Sequence, residues 1–228
     1  AEELVVTSGG TEAIHLALLG AAARLQPGRV LISAVEHPAT QSAAIRLAEK
    51  GWDVQTIPVD CQGLLDLNAL DDLLTPPTRL VSLIWGQNEV GGLQPIEAVG
   101  VRCRAAGVLL HVDAVQVLGH LPFRFRDLPV DLLSGAAHKL QGPRGVGLLL
   151  VRAGLHLQGQ LGGGGQEGGR RAGTEPVILL AGLAKALELA RQLPSTARIR
   201  DPLLAQLLSI PGARLSGPSP GPERLPHH

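Results

Sequence analysis

The stretch VLLHVDAVQVLGHLPFRFRDLPVDLLSGAAHK (residues 108–139) contains two apolar runs, and each of them leads to a polar side chain. The first run, VLLHVD (108–113), ends at Asp113, and the second leads through small residues to Lys139. Short apolar runs bounded by turn residues are typical of buried β-strands. Because this chain is poor in charge, a lysine between small residues and a turn indicates a positioned side chain.

Outward from this stretch, apolar runs alternate with helical patterns along nearly the whole chain. Strands that alternate with helices predict an α/β fold, with a mostly parallel sheet that carries helices on both faces. The predicted strands are 29–35, 53–59, 78–85, 108–113, 130–137 and 145–152, and the predicted helices are 11–25, 39–51, 67–74, 95–107 and 177–193.

The polar residues that follow these strands predict one shared ligand site. His37, Asn88, Asp113 and Lys139 each lie at or just after the end of a predicted strand. In parallel sheets, ligands bind beyond the carboxyl ends of the strands. Four chemically capable side chains at four such ends therefore indicate a common crevice.

Composition and charge exclude several classes of partner. The chain has 228 residues with 20 Lys and Arg against 20 Asp and Glu, and it has no basic block, which argues against nucleic acid or an anionic membrane surface. No apolar run is long enough to span a membrane, and no secretion signal is visible. Cys61 and Cys103 form no CxxC pattern, so no disulfide framework or metal site is expected, and a cytoplasmic setting is predicted.

The sequence TSGGTEA (7–13) is a glycine-rich turn that enters a helix. Backbone N–H groups at a helix N-terminus bind anions, most often phosphate, and Gly9 and Gly10 permit the tight turn. Thr11 is expected as the N-cap and as a hydroxyl donor. A capped helix start without a ligand is an equally good interpretation. The second glycine-rich stretch, LGGGGQEGGRRAGTE (161–175), is expected to be a flexible loop.

Three further side chains have both a structural and a functional interpretation. His37 in this position is more often structural or exposed, but its ring can also stack on a planar ligand. Asp113 is either a helix N-cap or a buried carboxylate that needs a cationic partner, and the second interpretation is favoured. Gln116, three residues further on, is expected to face the same ligand.

Lys139, next to His138, completes a set of residues that fits one cofactor. A lysine whose pKa is lowered by burial and a nearby positive group forms a Schiff base with an aldehyde. An aldehyde that also has a phosphate and a ring nitrogen would place the phosphate at the glycine turn and the nitrogen at Asp113. That cofactor is pyridoxal 5′-phosphate, whose ring acts as an electron sink when its nitrogen is protonated.

The chain resembles the cysteine desulfurase and selenocysteine lyase family, class V of the fold-type I pyridoxal-phosphate enzymes, in six motifs that occur in family order. The motifs, spread over residues 7–182, are TSGGTEA, EHPA, QNEVGGLQPI, HVDAVQVLGHLP, HKLQGPRGVGLLLVR and GGGQEGGRRAGTE. The resemblance implies a pyridoxal-phosphate-binding large domain over residues 1–193 and the start of a small C-terminal domain over 194–228.

The resemblance also implies a reaction and a set of site residues. Sulfur would pass from L-cysteine to an active-site thiol, giving alanine and a persulfide that a sulfur-acceptor protein can take up. Lys139, which holds the cofactor, and His37, which stacks on its ring, are the implied catalytic residues. Thr174 would reach the phosphate of the neighbouring subunit in a homodimer. The implied cofactor-binding residues are Gly10, Thr11, His37, Asn88, Asp113, Gln116, His138, Lys139 and Thr174.

Two departures from the family pattern bear on activity. Ala136 stands where the family often has Ser, and Ser134 lies too far back in the strand to be assumed a substitute. The chain begins without Met and ends at RLPHH (224–228), so it is expected to be a piece of a longer protein that lacks the N-terminal segment and the catalytic-cysteine loop. Neither Cys61 nor Cys103 is expected to replace that cysteine. A selenocysteine lyase, another class V aminotransferase and an inactive remnant that binds a partner or nothing are the alternatives.

Overall fold

The chain folds around one seven-stranded sheet, which a computed structural model describes within residues 2–228. The first residue of the predicted 1–193 unit lies outside the described part. The strands are β1 (Leu4–Thr7), β2 (Arg29–Ser33), β3 (Asp53–Ile57), β4 (Thr78–Ile84), β5 (Leu109–Asp113), β6 (Leu132–Ala136) and β7 (Gly147–Val151). Their order in the sheet is β1-β7-β6-β5-β4-β2-β3.

The predicted mostly parallel sheet is confirmed. Strands β3, β2, β4, β5 and β6 pair in parallel, whereas β7 pairs antiparallel with both β6 and β1. The sequence pattern does not predict β1, because its four residues give too short a run to show a period. It also does not predict the direction of β7, which returns from β6 by a short turn and therefore needs no crossover helix.

Residues 2–228 contain six α-helices, and the five predicted ones are found with ends that differ by up to three residues. The helix not predicted, α6, contains Pro202, which interrupts the helical pattern of the sequence. As expected, α4 ends at Gly107, which adopts a left-handed backbone with φ of 66°. The helices are α1 (Gly10–Ala22), α2 (Pro38–Ala48), α3 (Leu67–Leu73), α4 (Ile96–Ala106), α5 (Val177–Ala190) and α6 (Ala197–Leu208).

The prediction that Thr11 caps α1 is wrong. The helix begins at Gly10, the N-cap is Gly9, and Thr11 lies inside the first turn. The Glu12 carboxylate instead accepts a hydrogen bond of 2.6 Å from the backbone N–H of Ser8. This hydrogen bond fixes the turn that leads into α1, and the helix begins too early for Thr11 to cap it.

Alternate residues of the central strands face opposite layers of helices. Leu110 and Val112 of β5 belong to the buried cluster that includes α4, whereas Leu109 packs against the cluster formed by α1 and α2. Because side chains alternate along a strand, His111 and Asp113 lie on the same side as Leu109. The face under α1 therefore carries polar groups where the opposite face is apolar.

The last part of the chain packs against the edge of the ligand crevice. Leu225 is fully buried in the cluster that contains α4, and its backbone N–H donates to the carbonyl oxygen of Gly91. The backbone N–H of Leu93 donates to the carbonyl oxygen of Glu223. The division of the chain at residue 193 stays a prediction.

Within residues 2–228, the longest apolar helices are too short or too polar to cross a membrane. The same residues contain no cluster of three or more His, Cys, Asp or Glu side chains in a geometry suited to a metal ion.

We predict that Gly100→Ala destabilises the fold. A Cβ at Gly100 in α4 would lie 2.3 Å from the carbonyl oxygen of Pro129, so the helix would have to move off the sheet. We expect a loss of about 1–3 kcal/mol in the free energy of unfolding, measured by urea titration. Gly165→Ala is the matched control, because a Cβ there meets nothing within 4 Å and φ is −82°, and it should change stability by less than about 0.5 kcal/mol. Equal effects of the two substitutions would contradict the packing argument.

Candidate active site

A cavity of about 230 Å³ lies beyond the carboxyl ends of the parallel strands. It brings together the side chains that follow β2, β4, β5 and β6 and the first turn of α1. Every predicted site residue except Thr174 lines it. The lining residues are Gly10, Thr11, Ile14, His37, Ile84, Gly86, Asn88, Asp113, Val115, Gln116, Ala136, His138 and Lys139.

Asp113 is the buried carboxylate of the cavity, with 4% of its surface exposed. Burial raises the pKa of Asp113 to about 6, although the backbone N–H of Val115 donates to its Oδ1 at 3.0 Å and lowers it in part. That hydrogen bond belongs to a turn, since no helix starts after β5, so the helix N-cap interpretation is wrong. An isolated buried carboxylate is stabilised by a positive group placed against it.

His37 has a structural role and a place in the cavity at the same time. It is the N-cap of α2, and its Nδ1 accepts a hydrogen bond of 3.1 Å from the backbone N–H of Ala39. An accepting Nδ1 leaves the proton of the neutral ring on Nε2. Burial, and then the positive charge of Lys139, lower the pKa of His37, so the ring is neutral at neutral pH. A ligand can therefore be met by the neutral ring face or by Nε2.

Lys139 lies on the short 3₁₀ turn Ala137–Leu140 that follows β6. Its carbonyl oxygen is 3.1 Å from Nε2 of His120, which fixes the turn at the rim of the cavity. The expectation that the lysine is desolvated is wrong for this chain, because both His138 and Lys139 are exposed. The physical reason is the position of the turn: it lies past the end of the strand, where the cavity opens to solvent.

The glycine turn is held in place by an ion pair that the sequence analysis does not predict. Arg171 Nε lies 2.8 Å from Glu12 Oε1, which connects the second glycine-rich stretch to the first turn of α1. Burial acts to raise the pKa of Glu12, but hydrogen bonds from Arg171 and Ser8 outweigh it and lower that pKa. The stretch 161–175 is therefore anchored at Arg171. Charges of opposite sign that are far apart in sequence give no local signal, so only a known fold could reveal this pair.

Thr174 lies outside the cavity and is exposed, in the loop that leads into α5. Two large apolar side chains follow it at the start of the helix, Val177 with 72% and Ile178 with 87% of their surface exposed. Such exposure of adjacent large apolar side chains is typical of an interaction surface.

The residues RLPHH (224–228) lie next to Asn88 and Gln116 of the cavity, which the sequence analysis does not predict. His228 Nε2 lies 2.9 Å from the carbonyl oxygen of Asn88. His227 stacks on His120 with ring centroids 3.8 Å apart, and burial, followed by the neighbouring positive charges, lowers the pKa of His227 to about 4. His227 is therefore a neutral neighbour of the cavity at neutral pH.

A buried polar row lies directly behind the cavity and was also not predicted. His111 is fully buried, its Nδ1 is 2.8 Å from the hydroxyl of Ser82, and its Nε2 is 2.8 Å from the hydroxyl of Ser134. Burial lowers the pKa of His111 to about 3, so the ring is neutral. Ser134 is committed to this row and does not supply the hydroxyl that Ala136 lacks, as expected.

Neither cysteine belongs to the cavity. Cys103 is 1% exposed in the core next to α4, and burial, followed by the charge of Asp131, raises the pKa of its thiol to about 12. A thiol with so high a pKa is not a nucleophile at neutral pH. Cys61 is exposed and lies outside the lining residues.

Comparison with known proteins identifies relatives over the whole described chain. The chain is 38% identical over 234 residues to the cysteine desulfurase IscS of Clostridium botulinum (strain Kyoto / Type A2), a match that covers 99% of this chain and 59% of the relative. It is 44% identical over 200 residues to a cysteine desulfurase of Bradyrhizobium diazoefficiens, covering 87% and 51% of the two chains. The chain therefore spans between about half and three fifths of the length of these relatives.

Solved structures of similar proteins share this fold. A NifS-like protein superposes with a TM-score of 0.93 at 35% identity, and the match covers 99% of this chain and 63% of that one. The family model described as aminotransferase class-V matches residues 1–226. The chain belongs to the aminotransferase class-V family.

Proposed function

We propose that this chain forms the pyridoxal 5′-phosphate-binding part of a cysteine desulfurase. The observation that carries the proposal is the meeting of Lys139, Asp113 and His37 at one cavity. An amine, a buried carboxylate and a neutral aromatic ring are the groups that a phosphorylated pyridine aldehyde requires. The relatives named cysteine desulfurase support the choice of reaction.

The chemistry of the cavity fits the cofactor at two points. Within residues 2–228, Asp113 is buried and forms no salt bridge. Burial raises its pKa, so a positive ring nitrogen beside it would stabilise the ionised carboxylate and would itself be stabilised. At Gly10, a Cβ would lie 2.8 Å from Cγ2 of Val115, so only glycine lets the first turn of α1 approach the cavity this closely. A close backbone approach at a helix N-terminus is what a phosphate group needs.

Each residue has a separate task in the proposed function. Lys139 Nζ would hold the cofactor at its aldehyde group and would move protons at the reacting carbon, whereas Asp113 would hold the proton of the ring nitrogen. The neutral ring of His37 covers one face of the site and excludes water from it. When bound, pyridoxal 5′-phosphate withdraws electrons from the substrate and so weakens its bonds. The remaining contacts are assigned to the phosphate for Gly10, Thr11 and His138, and to the ring hydroxyl for Asn88 and Gln116.

The proposed reaction breaks the Cβ–S bond of L-cysteine. A thiolate attacks the sulfur, the S–S bond of a persulfide forms, and the electron pair and a proton stay with the carbon product, which leaves as alanine. Neither Cys61 nor Cys103 is suited to be that thiolate, because the first lies outside the cavity and the second is buried. We therefore assign the persulfide to a thiol other than these two, from which a sulfur-acceptor protein would receive the sulfur.

The proposed assembly is a homodimer in the cytoplasm. Thr174 is exposed and lies outside the cavity of its own chain, which suits a contact to the phosphate bound by a second copy. The exposed Val177 and Ile178 next to it offer an apolar surface for that copy. Both cysteines are free, which is compatible with a reducing compartment.

We predict that Lys139→Ala abolishes covalent attachment of the cofactor. Wild-type protein mixed with pyridoxal 5′-phosphate should show a visible absorption band, and borohydride should fix the cofactor on the peptide that contains Lys139. The variant should show neither, by spectroscopy and peptide mass spectrometry. Lys50→Ala, at an exposed position after α2, is the control and should behave as wild type. Labelling of Lys50 with no labelling of Lys139 would refute the proposal.

We predict that the affinity for pyridoxal 5′-phosphate depends on the charge of Asp113. The pKa of Asp113 is raised to about 6, so the carboxyl group is protonated below pH 6 and loses its attraction for a protonated ring nitrogen. Asp113→Asn should weaken binding at pH 7.5 by about tenfold to a hundredfold, since a hydrogen bond to a charged group contributes about 1.5–3 kcal/mol. The ratio of the two dissociation constants should shrink as the pH falls below 6. Asp72→Asn, on the surface of α3, should leave the dissociation constant unchanged, and a pH-independent ratio would count against the role of Asp113.

We predict that Ile178→Asp weakens the homodimer. The substitution places a charge on the apolar surface at the start of α5, where burial against a second copy would leave it without a partner. Analytical ultracentrifugation should show a dimer for wild type and a shift towards monomer for the variant. Ile45→Asp, on α2 with 62% of the residue exposed, is the control and should stay dimeric. A monomeric wild type over the micromolar range would rule out the proposed contact of Thr174.

A further inference from the structure

Glu36 is a buried acid that lies just behind the cavity and has no part in the proposed chemistry. It is 5% exposed, in the turn between β2 and α2. Its Oε1 accepts a hydrogen bond of 2.6 Å from the hydroxyl of Ser33 and one of 2.7 Å from the backbone N–H of Ile84. One oxygen of the Glu36 carboxyl group thus connects Ser33, at the end of β2, to Ile84, the last residue of β4. Ile84 lies 48 residues after Glu36 in the chain.

These two hydrogen bonds connect the backbones that carry two site residues. Ile84 is paired in register with Asp113, and the backbone N–H of Trp85 donates to the carbonyl oxygen of Asp113 at 2.9 Å. On the other side, His37 directly follows Glu36 and caps α2. The Glu36 carboxyl group therefore lies on the shortest covalent and hydrogen-bonded route from His37 to Asp113.

The second oxygen of the carboxyl group indicates which form of Glu36 is present. Glu36 Oε2 and the hydroxyl oxygen of Thr40 are both buried, and neither has a hydrogen-bond partner in the part of the chain that the structure describes. A proton on Oε2 turns this atom into a donor, for which the Thr40 hydroxyl is an acceptor. An ionised Glu36 would be a buried negative charge that has no cationic partner within residues 2–228, which is strongly unfavourable.

We propose that Glu36 is a positioning residue of the site, held as the neutral acid, whose carboxyl group fixes the turn that carries His37 against the strand ends that carry Asp113. This inference rests on the proposed function for the identity of the ligand, but not for its first test. The neutral form has a chemical consequence: the negative charge behind the cavity is then that of Asp113 alone. A second carboxylate at Glu36 would repel the first, and Asp113 would hold its own proton more tightly.

The ionisation of Glu36 agrees with this assignment. Burial raises the pKa of Glu36 to about 8 from its ordinary value of 4.5; the hydrogen bonds from Ser33 and Ile84 and the hydroxyl of Thr40 oppose this rise, and the charge of Asp113 adds to it. The groups that act on it come from β2, α2, β4 and β5, and Asp113 is the charged one among them. Because the folded-state pKa is the higher one, folding takes up a proton between about pH 5 and pH 8. The stability gained from neutral Glu36 is complete below pH 4.5 and is lost as the pH rises through 8.

The first experiment compares the pH dependence of unfolding without cofactor. Wild type, Glu36→Gln and the surface control Glu49→Gln are unfolded with urea between pH 5.5 and pH 9. The ratio of the unfolding constants of wild type and Glu36→Gln should rise by up to tenfold for each pH unit between about 5.5 and 8, because only wild type releases the proton on unfolding. Glu49 lies exposed at the end of α2, and Glu49→Gln should keep the wild-type slope. Equal slopes for wild type and Glu36→Gln would overturn the proposal.

The second experiment tests positioning by rescue. Glutamine keeps an acceptor for Ser33 and Ile84 and a donor for Thr40, whereas alanine keeps neither. We expect Glu36→Ala to weaken the binding of pyridoxal 5′-phosphate at least tenfold and to move the imidazole titration of cofactor-free His37, followed by NMR, towards its ordinary value. Glu36→Gln should remain within twofold of wild type and keep the His37 titration. A glutamine variant as impaired as the alanine variant at pH 6.5 would overturn the proposal.

The two proposals can fail separately. If wild type does not bind pyridoxal 5′-phosphate, the proposed function fails, while the urea and His37 measurements still decide the role of Glu36. If wild type binds the cofactor but the slopes are equal, the inference on Glu36 fails and the proposed function stands. Should Glu36→Ala not fold, the comparison of wild type with Glu36→Gln still decides the form of the acid.

Discussion

The parallel pairing of β4, β5 and β6 is the constraint on which the site depends. Parallel strands end at the same edge of a sheet, so Ile84, Asp113 and Ser134 become neighbours through backbone hydrogen bonds alone. The position of Asp113 is therefore set by the ladder and not by its own side-chain contacts. Lys139 follows the same edge because the turn after β6 is only a few residues long. The geometry of the candidate site therefore follows from the register of the sheet.

The face of the sheet under α1 carries polar groups that the fold must satisfy. Leu80, Leu109 and Leu132 lie on this face, and each is followed two residues later on its own strand by a polar side chain, namely Ser82, His111 and Ser134. A buried polar group without a partner is costly, whereas one with every hydrogen bond made fixes a single arrangement. The hydroxyls of Ser82 and Ser134 are hydrogen-bonded to the two ring nitrogens of His111. This row of side chains therefore fixes the positions of β4, β5 and β6 relative to one another directly behind the cavity. The apolar side chains of this face pack against α1, and the polar side chains lie nearer to the carboxyl ends of the strands.

The sequence patterns predict the features that depend on neighbouring residues, but they do not predict the contacts between residues that are far apart in the chain. The strand runs, the helix patterns and the polar side chains at four strand ends are local signals, and they predict the sheet and the grouping of His37, Asn88, Asp113 and Lys139 around one cavity. The roles of these residues towards a cofactor stay predictions. The pair of Glu12 with Arg171 and the bond from Ile84 to Glu36 join residues 159 and 48 positions apart, and nothing local marks them. Thr11 shows the opposite error, since its strong local preference for the N-cap position has no effect where the helix already begins at Gly10.

The charges of the site have a common physical origin. Burial drives Asp113, Glu36, His37 and His111 towards their neutral forms, by raising the pKa of the acids and lowering that of the imidazoles. Lys139 is exposed at the rim of the cavity, and its positive charge helps to lower the pKa of His37. A positive ring nitrogen beside Asp113 would stabilise the ionised form of that carboxyl group. Glu36 would remain in its neutral form. In the proposed site, the two neighbouring carboxyl groups thus take different protonation states: Asp113 is ionised beside a positive ring nitrogen and Glu36 is neutral because it is buried, so that a single negative charge meets the ligand.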